Sequence, residues 1–168
     1  GSLVSELTIP GEGTYTVDPQ TGEITFAPAP GFTGESTVTY SVADFGGVRT
    51  TAELTITVVG VAPNADDDSA STRQGEAVTV PLLGNDQPGN DTTALDPLAT
   101  IWVLTPELEA LGATLSEDGK TLTVPGEGVY VLDDQGNATF TPVAGFRGQT
   151  TAVTYQVFDV DGGSDTAT

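Results

Sequence analysis

Apolar and polar residues alternate in short runs along most of the chain, and this period of two predicts half-buried β-strands rather than helices. Leu54, Ile56 and Val58 alternate with Thr55 and Thr57, and Val38, Tyr40 and Val42 alternate with Thr39 and Ser41. Val153, Tyr155 and Val157 repeat the arrangement later in the chain. Each run therefore has one apolar face. Between the runs, Asp18 to Gly22, Glu117-Asp118-Gly119-Lys120 and Asp133 to Asn137 read as hairpin turns. The one helical signal is Pro106 to Leu111 followed by Gly112, a proline at a first-turn position and a glycine past the end, sufficient for one or two turns. Short strands at regular turn spacing predict an all-β protein built as a β-sandwich, with little helix.

The alternation recurs in a fixed order, which is the mark of an internal repeat. Ile9-Pro-Gly-Glu-Gly-Thr-Tyr15 matches Val124-Pro-Gly-Glu-Gly-Val-Tyr130, and Thr25-Phe-Ala-Pro28 matches Thr139-Phe-Thr-Pro142. Gly31-Phe-Thr-Gly34 then matches Gly145-Phe-Arg-Gly148, Thr39-Tyr-Ser-Val42 matches Thr154-Tyr-Gln-Val157, and Asp44 with Gly46-Gly47 matches Asp159 with Gly162-Gly163. The period is about 115 residues, close to the size of one sandwich domain. Residues 1–60 read as the C-terminal half of one repeat, and residues 61–168 as a second repeat that stops before a counterpart of the Leu54–Val59 strand. Its edge strand, placed at Ala152 to Asp159, is expected to be unpaired and open to strand addition from another copy of the chain. Val61 to Ala65, with a proline, is read as a stiff five-residue spacer that sets the two units end to end. Gly1-Ser2 reads as the remnant of a cleaved expression tag.

Composition narrows the chemistry. The 168 residues carry 24 Asp and Glu against 4 Lys and Arg, a formal charge of −20, with no histidine and no cysteine. That balance repels nucleic acid and anionic membrane surfaces, which are bound through clustered Lys and Arg. No apolar run reaches the roughly 20 residues of a membrane-spanning helix. Without cysteine or histidine there is no thiolate nucleophile, no imidazole base and no thiolate metal site, and no serine or acidic pair has the partner or burial that hydrolysis requires. An enzyme is not expected, no catalytic or cofactor-binding residue is assigned, and an exposed, extracellular setting suits the composition.

Each remaining candidate has a structural and a functional reading. Phe26 with Tyr40, and Phe140 with Tyr155, are read as stacked core aromatics on neighbouring strands, with the tyrosine hydroxyls reaching a polar edge, rather than as a sugar platform. Trp102 is read as a core or inter-sheet residue. Pro-Gly-Glu-Gly is a bend between strands with Glu12 and Glu127 facing solvent, and Gly-Phe-x-Gly is a corner whose phenylalanine plugs the sandwich end. Oxygen-rich clusters occur at Asp66-Asp67-Asp68, Asn85-Asp86 and Asp159 with Asp161; the expectation is a solvated acidic face, with Asp66, Asp67 and Asp86 as the calcium candidates. Lys120, the sole lysine, sits in a hairpin turn expected to be exposed and without the buried carboxylate that an isopeptide crosslink needs.

The ordered set Val-Pro-Gly-Glu-Gly, Thr-Phe-Thr-Pro, Gly-Phe-x-Gly, Val-Thr-Tyr-x-Val-x-Asp and Gly-Gly, preceded by Ala65-Asp-Asp-Asp-Ser69 and Leu83-Gly-Asn-Asp86, resembles the CshA-type fibril repeat. More broadly it is similar to bacterial Ig-like repeats. The resemblance implies tandem Ig-like sandwiches forming the stalk of a wall-anchored bacterial surface adhesin, with neighbouring repeats as partners and a separate distal region engaging ligands. The alternative is a weak binding module for host glycoprotein or glycan, which would need an exposed aromatic cluster.

Overall fold

In the computed structural model, residues 4–90 and 93–168 are described; the Gly1-Ser2 reading lies outside them. The chain divides into two compact units, residues 1–60 and 61–168. Both are all-β with antiparallel sheets, and α1 (Pro106–Ala110) is the one α-helix among the described residues. The Thr105 side chain accepts from Leu108 N and Pro106 opens the helix, satisfying an otherwise orphaned amide; the following turn ends on Gly112 at φ +76°.

Unit 1 contains β1 (Glu6–Ile9), β2 (Gly13–Val17) and β3 (Ile24–Pro28) as one meander, and β4 (Gly34–Ala43) and β5 (Arg49–Val58) as a long hairpin. Unit 2 forms two layers. One holds β6 (Val78–Pro81), β8 (Thr114–Leu115), β9 (Thr121–Val124), β10 (Gly128–Leu132) and β11 (Asn137–Pro142) in the order β6-β11-β10-β9-β8. The other is β13-β12-β7, from β7 (Ile101–Val103), β12 (Thr154–Phe158) and β13 (Ser164–Ala167). Leu122, Val124, Tyr130, Leu132 and Ala138 from the first layer meet Trp102, Tyr155, Val157 and Ala167 from the second in one core. Trp102, 2% exposed, stands edge-on to Tyr130 at 5.6 Å across the layers, as a core residue should. The turns at Asp18 to Gly22, Asp133 to Asn137 and Ser116 to Lys120 join the expected strand pairs.

The aromatic pairing differs from the sequence expectation. Phe26 stacks on Tyr15 at 4.4 Å, not on Tyr40, and Phe140 on Tyr130 at 4.5 Å, not on Tyr155. The reason is topological: the Gly-Phe-x-Gly corner moves the chain to the other layer, so β3 and β4 are consecutive in sequence but not neighbours in a sheet. The true pairs are cross-strand partners, Tyr15↔Phe26 and Tyr130↔Phe140. Phe32 and Phe146 then stand edge-on to them at 6.3 and 6.4 Å, both at 79°. The two repeats thus build the same aromatic triad.

That triad explains the second glycine of Pro-Gly-Glu-Gly. A Cβ at Gly128 would run into the Phe140 ring and the Thr141 carbonyl, and one at Gly13 would meet Phe26 and Ala27 in the same way. Glu127 corrects another expectation: its carboxylate does not face solvent but accepts from Thr151 N at 2.9 Å and Thr151 Oγ1 at 2.7 Å. An unpaired chain segment beside the turn offers donors that a carboxylate satisfies better than water does.

One further expectation changes. β12 is not an open edge, because β13 pairs one side of it and β7 the other; the segment without a strand partner is residues 148–153. Val61 to Ala65, read as a spacer, falls within unit 2. Pro63 is buried, Asn64 and Gln87 exchange both backbone hydrogen bonds at 2.9 Å, and Ala65 N donates to Asp165 Oδ2, which ties the segment to the rest of that unit.

Candidate functional site

A polar cluster in unit 2 forms where the segment after Ala65 meets Tyr155 of β12. Tyr155 is fully buried and Asp86 is 5% exposed. The tyrosine Oη lies 3.1 Å from both carboxylate oxygens of Asp86, 3.2 Å from the Asp66 carbonyl and 3.3 Å from Asp68 Oδ2. Asp86 is delivered by the loop after the 3-10 turn Leu82–Gly84, and its Oδ1 also accepts from Asp66 N at 2.9 Å. Asn85 Nδ2 donates to the carbonyls of Asp66 and Asp67. Asp67 Oδ1 accepts from Thr168 N and Oγ1, and Asp68 N donates to Thr168 O. Two acidic motifs some twenty residues apart are thereby tied to the repeated tyrosine.

The electrostatics follow the geometry. Burial, then the negative charge of Asp86, push the Tyr155 hydroxyl far above the ordinary tyrosine range, so it remains a donor. Burial raises Asp86, while the Asp66 amide and the tyrosine hydroxyl pull it back. Asp68 is raised by burial first, with Asp86 and Asp67 adding to the rise. Asp67 moves the opposite way because the Thr168 amide and hydroxyl stabilise its charge, and Asp165 is lowered chiefly by the Ala65 amide.

The sequence candidates for calcium are brought near one another: the Asp67 and Asp86 carboxylates are engaged with amides and hydroxyls, while Asp66 takes part through its backbone N and O. Among the described residues, no group of three or more acidic side chains is arranged to hold a metal ion. Asp159 lies elsewhere: its Oδ1 accepts from Asp161 N and Gly163 N within the β12–β13 turn, while its Oδ2 is buried without a partner. Lys120 is half-buried rather than exposed, because its Nζ donates to the carbonyls of Pro97, Leu98 and Thr100 and closes the loop before β7. These acceptors are carbonyls of the backbone, not a side chain with which an amine condenses.

The sequence predicts a core ring at Tyr155 with its hydroxyl at a polar edge; that this edge is the Asp66–Asp68 and Asp86 cluster is what the sequence reading does not reach. A signal existed. Its counterpart Tyr40 belongs to a unit with no Asp-Asp-Asp or Asn-Asp motif, and there the ring is 36% exposed. The acidic motifs and a buried tyrosine occur together in unit 2.

A family model for the repetitive domain of the surface adhesin CshA matches residues 1–58 and again residues 60–168. The chain belongs to this family. Among curated proteins, none matches it. Both copies of the motif are thus surface-adhesin repeat sequence, which indicates the cell surface, and no helix among the described residues is long and apolar enough to cross a membrane. Within the CshA repeat, the Asp66–Asp86–Tyr155 cluster acts as a lock: it fastens the start of the repeat to its C-terminal strands.

Proposed function

We propose that the chain is a structural stalk module of a fibrillar bacterial adhesin, anchored to the cell wall in its parent protein, whose repeats set the distance between the cell and a distal adhesive region. The observation that carries this reading is the duplicated interior. The triads Tyr15–Phe26–Phe32 and Tyr130–Phe140–Phe146 match in distance and angle, so the repeated residues are conserved between copies for packing. The polar motifs of the second copy are likewise spent on internal bonds. A repeat built this way needs only to fold, join its neighbours and stay soluble, and a charge of −20 favours the last.

A glycan-binding role would require a cluster of exposed aromatic faces, whereas Trp102 and Tyr130 are 2% and 8% exposed and the fully exposed Phe45 is a single ring in the β4–β5 turn. The chain is accordingly not an enzyme and not a ligand-binding module in this reading. Purified protein applied to arrays of glycans and host matrix proteins tests it: no retention above an unrelated acidic protein is expected, and saturable binding that survives raised salt would overturn the assignment.

A further inference from the structure

The lock in unit 2 joins two segments that run in the same direction. Ala65 N donates to Asp165 Oδ2 at 3.0 Å, and three residues further along both segments Asp68 N donates to Thr168 O at 2.8 Å. Between them, Asp67 Oδ1 accepts from Thr168 N at 2.9 Å and from Thr168 Oγ1 at 2.8 Å. A Cβ at Gly163 would lie 3.2 Å from both Ala62 Cα and Pro63 Cδ, which extends the same register toward the start of the repeat. Residues 62–68 and 163–168 therefore lie side by side and parallel. Residues 62–68 bring the chain into the repeat, and β13 is the strand by which it leaves. Its counterpart β5 runs to Val58, where one match to the repeat ends before the next begins at residue 60.

We infer that these parallel segments form a shear clamp, which passes tension along the stalk from the entering chain to the leaving strand; the inference rests on the stalk reading above. Parallel neighbours have their like ends together, so a chain pulled outward at residues 61 and 168 is pulled at opposite ends of the pairing. The bonds made by Ala65, Asp67 and Asp68 then lie across the direction of pull and share the force. They break together, whereas bonds loaded from one end break one after another. The entering segment is also held from its other side, since Asn64 is bonded to Gln87, and Asp66 to Asp86 and Tyr155. Each of these hydrogen bonds adds little to equilibrium stability. Forced unfolding follows the unfolding rate instead, and that rate is set by how many bonds must break at once.

Single-molecule pulling on the full chain in two directions tests the inference. The chain has no cysteine, so thiols introduced by substitution are unique attachment points. Val61→Cys with a handle at the C-terminus shears the pairing. Val61→Cys with Asp161→Cys, both exposed and at its like ends, unzips it. A severalfold higher unfolding force is expected in the shearing direction. Asp67→Ala combined with Asp165→Ala should bring the shearing force down toward the unzipping value, while Gly128→Ala, which disturbs the interior, should not. Trp102 emission verifies that unit 2 is folded in each variant, and the comparison of directions needs no change within the clamp. Equal forces in the two directions overturn the inference. So does a shearing force that the double substitution leaves unchanged, or that Gly128→Ala lowers as far. Neither result bears on ligand binding, by which the stalk reading itself is tested.

Discussion

Replacing Tyr155 by phenylalanine removes one oxygen and leaves the packing of a fully buried ring in place, so its effect isolates the acidic lock. The hydroxyl donates to a carboxylate that is 5% exposed, at 3.1 Å from each oxygen. Hydrogen bonds to charged acceptors contribute about 1.5–3 kcal/mol, and a buried acceptor left short of donors loses that stabilisation without compensation from water. Asp86 keeps the Asp66 amide, which argues for a loss in the middle of the range, about 2 kcal/mol. For a unit of this size that corresponds to a fall in Tm of about 8 °C. The sole tryptophan, Trp102, lies in unit 2, so its emission during urea or thermal unfolding follows that unit. Tyr40→Phe provides the comparison: its hydroxyl sits in a unit without the acidic motifs, and the change should stay within about 0.5 kcal/mol by circular dichroism. In a double-mutant cycle, Tyr155→Phe and Asp86→Asn should be non-additive because they break one contact. A loss below about 0.5 kcal/mol for Tyr155→Phe, or an equal loss at Tyr40, would refute the lock.

Gly128→Ala should destabilise unit 2 by about 1–3 kcal/mol, since its Cβ meets the Phe140 ring and a backbone carbonyl; a neutral result in urea unfolding would contradict the packing account of Pro-Gly-Glu-Gly. The acid response should have two phases. Asp86 and Asp68 have raised values in the folded state, so their protonation as pH falls toward the unfolded value of 3.8 does not destabilise and relieves negative charge. Asp67, Asp118, Asp133 and Asp165 are lowered, so the stability they contribute is present above 3.8 and is lost as pH falls through their folded values. Urea midpoints should therefore hold or rise from neutrality to about pH 4 and drop below it; a steady decline beginning near neutrality would be inconsistent. Millimolar calcium and magnesium should raise Tm equally and slightly, through screening; a calcium-specific rise of several degrees would show that Asp66, Asp67 and Asp86 reorganise around an ion.

The strands and turns were legible because their signals are local. Alternation at Leu54–Val58, the turns at Asp18–Gly22, Glu117–Lys120 and Asp133–Asn137, and the Pro106 helix start depend on a few adjacent residues, and all three kinds of signal appear where expected. The Gly-Phe-x-Gly corner was legible too, with Gly145 and Gly148 at positive φ. Which strands become neighbours was not local, so Phe140 was matched with Tyr155 instead of Tyr130. The acidic motifs failed for the same reason. Asp66 and Asp86 look alike in sequence, yet one side chain is exposed and the other buried beneath Tyr155, a difference made by a contact across 69 residues. Glu127 and Lys120 show that a charged residue in a turn is not always solvated, because each meets unpaired backbone groups from a distant loop.

The stalk assignment rests on repeats that add length, and electron microscopy of tandem arrays measures this directly. Arrays of one, two, four and eight copies of the chain should lengthen in proportion to copy number, with a constant increment per copy. End-to-end lengths that grow only with about the square root of copy number, as in a flexible coil, or particles that collapse into compact clusters, would contradict a stalk.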